Sequence, residues 1–286
     1  MISDITLGQY FPGYSKLHRL DQRTKILLAI AFIVAVFLAN NLFGFIMLTF
    51  VCILLMWQSR ISIKVMLRGI KPIIIILIFT ALINVFLTGG ASEPVVDWWI
   101  FTIYKEGIIR AVFMAYRVII LILGTSVLLT YTTSPIALTD GIESLLSPLK
   151  KIKIPVHVFA MMMSIALRFI PTLIEETEKI MNAQKSRGAD FSSGGLIKRA
   201  KALIPILVPL FVSSFKRAEE LATAMECRCY RGDKGRTKLV KLTYRPLDYV
   251  YLTFFVIFMT ALILSRILPY NYTVNNIVYS ILFYRI

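Results

Sequence analysis

The sequence has little with which to perform redox or metal chemistry. Its 286 residues include 3 cysteines and 2 histidines. Cys52 lies in an apolar run. Cys227 and Cys229 are two residues apart, a spacing that suits neither an ordinary disulfide nor a zinc site. His18 and His157 are too few for a His-rich metal site. A phosphate loop of the form G-x-x-x-x-G-K-[ST] is missing as well. Gly232-Asp233-Lys234-Gly235-Arg236-Thr237 resembles one but lacks its spacing, so P-loop ATP hydrolysis by this chain is excluded. No Ser/His/Asp set, paired-carboxylate pattern or H-E-x-x-H motif appears. A cleavable leader is not expected either. About 25 mixed polar residues precede the first apolar run, and no small-residue cleavage site follows it.

Acidic residues are also scarce, at 16 Asp and Glu against 32 Lys and Arg, a net charge of +16. In a soluble protein that balance would suggest nucleic acid. Hydrophobic residues make up 57% of the chain, however, and mean hydropathy is +0.74. A soluble domain is nearer 45–50% apolar. The chain therefore reads as an integral membrane protein. Its excess of cations is explained by orientation, because Lys and Arg gather in cytoplasmic loops.

Five apolar runs read as transmembrane helices: Ile26 to Leu38, Leu42 to Trp57, Ile73 to Leu87, about Ala111 to Thr130, and Tyr249 to Leu268. The first two are short for the roughly 20 residues a span needs, and they read as a tight hairpin broken at Ala39-Asn40-Asn41. The loops before the first run, after the second and after the fourth are basic. The loop from Gly89 to Glu106 is not. That pattern places the N-terminus and the middle of the chain in the cytoplasm. The tail from Pro269 to Ile286 then falls outside, lies at the interface or re-enters. Arg110 and Arg117, at the start of the fourth run, either snorkel to the outer interface or face a protein partner within the membrane.

Between Ser134 and Pro246 the pattern changes to three amphipathic helices, dividing the chain into 1–133, 134–246 and 247–286. The first has Ser134 as N-cap, Pro135 at the first helical position and an apolar face of Leu138, Ile142, Leu145, Leu146 and Leu149. The second runs from near Pro155 to Arg187. Phe159, Met162, Ala166, Phe169, Ile170 and Leu173 recur along it at helical spacing, and Pro171 is expected to kink it. The third runs from about Ile197 to Arg231, with Leu203, Leu207, Leu210, Phe211 and Phe215 on its stripe. Charges interleave from Arg168 and Lys216 onward. Such helices lie on a membrane or along another helix more readily than across it. The stretch from Glu176 to Arg245 holds 15 basic and 7 acidic residues, so it alone carries +8 of the chain's +16. That charge suits anionic lipid or an acidic partner.

One short pattern occurs twice in this region. Ser186-Arg187-Gly188-Ala189-Asp190 is echoed by Tyr230-Arg231-Gly232-Asp233 at an offset of 44 (231 − 187). Glu175-Glu176 match Glu219-Glu220 at the same offset, and Met181 matches Met225. Each copy sits where a long helix should end. The glycine is then expected to close the helix in a left-handed conformation, with the arginine in the last turn. Favourable C-capping alone would explain either copy. Together they present two guanidinium forks suited to paired carboxylate or carbonyl acceptors. A two-fold or pseudo-two-fold partner would offer two such grooves.

Over nearly its whole length the chain resembles the EcfT family, the transmembrane scaffolds of energy-coupling factor (ECF) vitamin transporters. The resemblance is carried by Leu20-Asp21-Gln22-Arg23-Thr24-Lys25, by Thr132-Thr133-Ser134-Pro135 and by Ser147-Pro148-Leu149-Lys150. It continues through Ala166-Leu167-Arg168-Phe169-Ile170-Pro171 and Ala183 to Phe191, and ends at Tyr230-Arg231-Gly232. The family often has Ala before each arginine. Ser186 and Tyr230 stand there in this chain, so it is the arginine and glycine that carry over.

The resemblance implies an L-shaped all-α integral membrane protein of about five transmembrane helices and three cytoplasmic coupling helices, set in the bacterial cell membrane. It implies a dimer of two ABC ATPase subunits, an EcfA-type heterodimer, which receives Ser186, Arg187 and Gly188 in one groove and Tyr230, Arg231 and Gly232 in the other. It further implies a separate membrane-embedded S-component that captures the vitamin and packs on the apolar stripes, here Leu138, Ile142, Leu145, Leu146, Phe159, Met162, Leu207, Leu210 and Phe211. Mutual helix packing is the alternative role for those stripes. The scaffold would be non-catalytic and bind no cofactor, metal or nucleic acid itself, while ATP and Mg serve the partner ATPases. Two other readings stay open on the residues: an ABC permease with its own substrate path, and an intramembrane lipid-modifying enzyme using Asp190 and Asp233 as metal ligands.

Overall fold

The computed structural model describes residues 10–87, 96–98, 101–153, 155–189, 191, 195–232 and 242–267. These residues form α1 (Gln22–Leu38), α2 (Leu42–Ser59), α3 (Ile63–Ile70), α4 (Ile74–Leu87), α5 (Lys105–Thr125), α6 (Pro135–Leu145), α7 (Val156–Ser186), α8 (Leu196–Cys227) and α9 (Pro246–Ile267). Among the described residues the fold is helical apart from a two-stranded ribbon, β1 (Val96–Trp98) against β2 (Phe101–Ile103), which the sequence pattern did not announce. The tail from Pro269 onward, Asp190 and Asp233 lie outside the described residues, as does half of the loop from Gly89 to Glu106.

Five helical stretches are long and apolar enough to cross a membrane: Leu42–Ser59, Ile63–Phe86, Gly107–Thr130, Val156–Ser186 and Pro246–Ser265. The count agrees with expectation, but the membership differs. α1 has 17 residues. At 1.5 Å per residue it spans about 26 Å, a little under the hydrocarbon thickness. The stretch expected to begin at Ile73 starts ten residues earlier, because α3 and α4 are joined through a 3-10 turn at Lys71–Ile73. α7 qualifies by length and composition through its apolar first half. Glu175, Glu176, Glu178, Lys179 and Lys185 occupy the second half.

The chain divides into two compact units. The larger comprises Gly8–Ser134 and Leu242–Ile286. Its core gathers Leu28, Phe32, Leu48, Leu55, Leu128, Tyr131, Phe255 and Leu262, among others, from the packing of α1, α2, α5 and α9. α1 crosses α5 so closely that a Cβ on Gly124 would lie 2.1 Å from the Phe32 ring, so no other residue fits there. Arg117 does not snorkel outward. Its Nη2 donates to Ala39 O at 2.7 Å and Asn40 Oδ1 at 2.9 Å, and its guanidinium lies 5.5 Å from the Phe45 ring. It thereby holds the α1–α2 link, one of whose carbonyls α1 leaves unsatisfied.

Two of the sequence stretches that carry the family resemblance meet in the larger unit. Lys25, almost wholly buried, donates from Nζ to Thr132 O at 2.8 Å. Asp21 caps α1 by accepting from Arg23 N at 2.9 Å, and its carboxylate also takes Arg23 Nε and Nη2. Asp248 is fully buried, and it accepts from Asp21 N at 2.8 Å and Arg245 N at 2.7 Å. The second bond is the reach-back of an N3 acid to its helix N-cap, with Pro246 at the first helical position. A single carboxylate therefore starts α9 and pins the entrance to α1.

The smaller unit comprises Met1–Leu7 and Pro135–Lys241. In it α6 packs on α7, and α7 on α8. His157 Nδ1 lies 2.9 Å from Glu143 Oε1, joining α6 to α7. Arg217 Nη2 lies 3.5 Å from Glu176 Oε2, joining α7 to α8. Pro171, Pro205 and Pro209 all sit inside their helices without ending them.

Candidate docking surfaces on the long helices

α7 and α8 have 31 and 32 residues, about 47 Å each. Both end in the same hydrogen-bonded closure. At the end of α7, Gly188 N donates to Lys185 O at 2.9 Å and Ala189 N to Gln184 O at 3.0 Å. Gly188 takes φ +86°. This is a Schellman closure with Arg187 at the C-cap, and the glycine stands where a left-handed residue is required. A Cβ there would meet nothing within 4 Å, so the requirement is one of backbone conformation and not of space.

The end of α8 corrects the sequence reading. Its left-handed residue is Cys229, with φ +58°, and not Gly232. Cys229 N donates to Glu226 O at 2.8 Å and Tyr230 N to Met225 O at 3.0 Å. Arg228 is the C-cap. Gly232 is left-handed too, at φ +77°, but five residues beyond the last residue of α8 (232 − 227). The two helix ends therefore correspond at an offset of 41 (228 − 187), not 44. The preference for glycine at this position is worth about 1–2 kcal/mol. Two closing hydrogen bonds outweigh it at Cys229.

The ion pair between the helices obeys the structural offset, since 176 + 41 = 217. Glu176 and Arg217 each lie ten residues before the last residue of their helix, about 15 Å of helix away from it. The pair thus lies at the same distance from both helix ends.

Arg187 is placed as expected, at a helix tip. Arg231 is displaced to the chain just past the tip, with Arg228 in the place that Arg187 holds on α7. Both Arg187 and Arg231 are exposed, and among the described residues neither forms an ion pair or hydrogen bond through its side chain. Ser186 is the last residue of α7, and its Oγ donates back to Asn182 O at 3.1 Å. Tyr230 is half-buried. The sequence reading missed Arg228 and Cys229, because glycine is the usual signal for a helix end and both copies of the motif offered one.

The apolar stripes divide into two groups. Ile142, Leu146, Phe159, Met162, Leu207 and Phe211 are exposed, whereas Leu138, Leu145 and Leu210 are half-buried. α8 exposes more than one stripe. Leu203, Ile204, Leu207, Val208, Phe211, Val212 and Phe215 are all exposed, with the Phe211 and Phe215 rings 4.6 Å apart. A contiguous apolar surface of this kind marks contact with lipid or with another protein.

The family model CbiQ, described as a cobalt transport protein, matches residues 13–239. The energy-coupling factor transporter transmembrane protein EcfT of Clostridium kluyveri is 52% identical over 267 residues, covering 93% of this chain and 98% of that protein. The EcfT of Ruminiclostridium cellulolyticum is 53% identical over 266 residues, at 93% and 98% coverage. That of Bacillus subtilis is 49% identical over 249 residues, at 87% and 93% coverage. Among the described residues no group of His, Cys, Asp or Glu is arranged to hold a metal ion.

Proposed function

The chain belongs to the family of CbiQ and EcfT transport proteins, and from that premise we propose that it is the scaffold of an ECF-type ABC importer of vitamins or other micronutrients. In this reading two ABC ATPase subunits dock on the ends of α7 and α8, and ATP and Mg are used by those subunits. A separate S-component holds the substrate within the bilayer. Closing of the ATPases moves the helix tips, and the tips couple that motion to substrate release. The scaffold performs no chemistry itself. The N-terminus and the helices of residues 134–246 lie in the cytoplasm, as their cations favour.

The observation that carries this reading is the pair of long helices with matched closures and arginines that have no side-chain partner among the described residues. An exposed guanidinium of that kind is available to a carboxylate or a row of carbonyls on a partner. The ion pair Glu176–Arg217 supports a common register of the two helices, because it lies at the same distance from both tips. The exposed apolar residues of α6, α7 and α8 supply a surface for the S-component. The test is co-purification of the ATPase subunits, together with substrate uptake, in Arg187→Ala, Arg231→Ala and the double variant. Unchanged association and uptake in the double variant would sink the docking assignment. Arg→Lys is expected to be impaired as well, since an ammonium lacks the fork.

A further inference from the structure

The larger unit contains an open cleft of about 1080 Å³ that has no role in the coupling scheme. Three elements frame it: the segment before α1, the end of α2 with the turn into α3, and Leu247 at the start of α9. Its cations are Lys16, Arg19 and Arg60. All three are exposed, and among the described residues none is ion-paired. Between Tyr10 and Leu87 the one acidic residue is Asp21, and that carboxylate is buried and occupied by Arg23. Among the described residues the lining of the cleft therefore carries three cations and no acidic side chain.

The cations sit on built backbone and not on loose chain. His18 Nε2 donates to Phe11 O at 2.8 Å, which leaves Nδ1 to accept from Ser15 Oγ at 2.6 Å. Phe11 N in turn donates to Tyr131 O at 3.1 Å. These bonds fix the turn that carries Lys16 and Arg19. Arg60 closes α2 in a left-handed conformation, φ 56°, an uncommon state for a residue with a side chain.

An apolar track runs out of the same cleft. Phe43, Ile46, Phe50, Ile53 and Trp57 are all exposed and follow each other at helical spacing along α2. They span 14 residues, about 21 Å of helix. Ile53 and Trp57 line the cleft itself, and Trp57 is 81% exposed. An aromatic ring with an apolar body and a polar N–H is the usual residue of the bilayer interface. The arrangement presents cations at one end, an interfacial tryptophan next, and a long aliphatic and aromatic groove after it.

We propose that this cleft holds the headgroup of an anionic glycerophospholipid, the phosphate against Lys16, Arg19 and Arg60 and one acyl chain along the α2 track. A free phosphate would satisfy the cations but leave the track unused. A zwitterionic lipid would fill the track but bring a cationic group among the three cations. An anionic lipid matches both halves.

The test uses the full chain in lipid nanodiscs with Trp98 and Trp99 replaced by Phe, so that Trp57 is the one tryptophan left. Brominated phosphatidylglycerol and brominated phosphatidylcholine are compared as quenchers of its fluorescence in otherwise matched bilayers. Phosphatidylglycerol is expected to quench at a several-fold lower mole fraction. K16Q/R19Q/R60Q should lose that preference, since one interfacial cation is worth about fivefold, whereas K64Q/R68Q, outside the cleft, should keep it. Circular dichroism establishes that the variants retain their helix content; should the triple variant fail to fold, R60Q alone is used and should lose about fivefold. Equal quenching by the two lipids in the unsubstituted cleft overturns the proposal, as does a preference that survives loss of the cleft cations. Abolition of the preference by inorganic phosphate would assign the cations to the free anion and also overturn it.

Discussion

Lys25 and Arg187 are both cations, and the protein treats them in opposite ways. Lys25 is buried in the larger unit, where Thr132 O accepts from its Nζ and two carboxylates, Asp21 and Asp248, are tied into the same knot. Arg187 ends a helix of the smaller unit, exposed and without a side-chain partner among the described residues. Both units expose phenylalanine, Phe50 at 63% and Phe211 at 65%, but among the described residues the buried ones, Phe32, Phe45, Phe255 and Phe258, all lie in the larger. The larger unit closes a core of its own and ties Lys25, Asp21 and Asp248 into it, although Thr24 Oγ1, Thr133 Oγ1 and Arg117 Nε stay buried without a hydrogen-bond partner among the described residues. The smaller unit leaves charge and apolar surface unanswered, which is costly in isolation and useful only where something else supplies the answer. The difference places the buried core in α1, α2, α5 and α9, and leaves α6, α7 and α8 with the open surface that the proposed docking would use.

The sharpest way to break this comparison is the pair of tip arginines. If each is a hot spot, its removal weakens ATPase association roughly 30-fold, and the double variant loses several hundred-fold. Thermal stability of the purified chain should stay unchanged, because neither arginine has a side-chain partner among the described residues. A fall in stability with intact association would mean that the arginines belong to the fold.

Next in size is Asp248→Ala. It strands the buried Asp21 N and Arg245 N and removes a negative charge near Lys25. A buried donor left unsatisfied costs about 1–3 kcal/mol, so a loss of about 3 kcal/mol is expected. It should appear as a lower midpoint of thermal unfolding in detergent. Asp248→Asn should recover part of it, since the amide oxygen still accepts. An unchanged midpoint would show that the larger unit does not depend on the knot.

A smaller effect is expected from Phe211→Ser on the open face of α8. Exposed side chains contribute little to stability, within about 0.5 kcal/mol. Substrate uptake should nonetheless fall about tenfold if the face seats a protein partner, the scale of truncating one apolar side chain at an interface. Normal uptake with normal stability would assign that face to lipid.

Much of this contrast was legible in the sequence. Three amphipathic stretches between two apolar regions give a middle segment of separate character, and the periodicity of Phe159, Met162, Leu207 and Phe211 placed them on helix faces. The Arg187-Gly188 helix end was read correctly, because glycine at that position has a direct conformational cause. The buried knot was not legible, since Asp21 N and Asp248 Oδ1 are 227 residues apart and only the fold brings them together. One signal for it was present: Arg245-Pro246-Leu247-Asp248 has the proline and the N3 acid that begin a helix. Arg117 was read as facing outward or facing a partner because its acceptors, Ala39 O and Asn40 Oδ1, belong to a distant link. The α8 end was misplaced because Gly232 fits the same rule as Gly188, and sequence alone does not reveal which hydrogen bonds close the helix.

That misplacement supplies the finest test of the comparison. Gly188 and Cys229 occupy the same position in the same closure, at φ +86° and +58°. A Cβ at Gly188 would meet no atom within 4 Å, so Gly188→Ala should cost only the backbone penalty, about 1 kcal/mol. Cys229→Gly should run the other way and gain less than about 1 kcal/mol, because glycine's greater freedom in the unfolded chain offsets part of the relief. Thermal unfolding of both variants in one detergent gives the two signs. If the closures are equivalent, the shifts are opposite and similar in size. Destabilisation by Cys229→Gly would mean that the cysteine side chain holds the α8 tip through an interaction glycine cannot make, and the two tips would then differ in what orders them as well as in where their arginines stand.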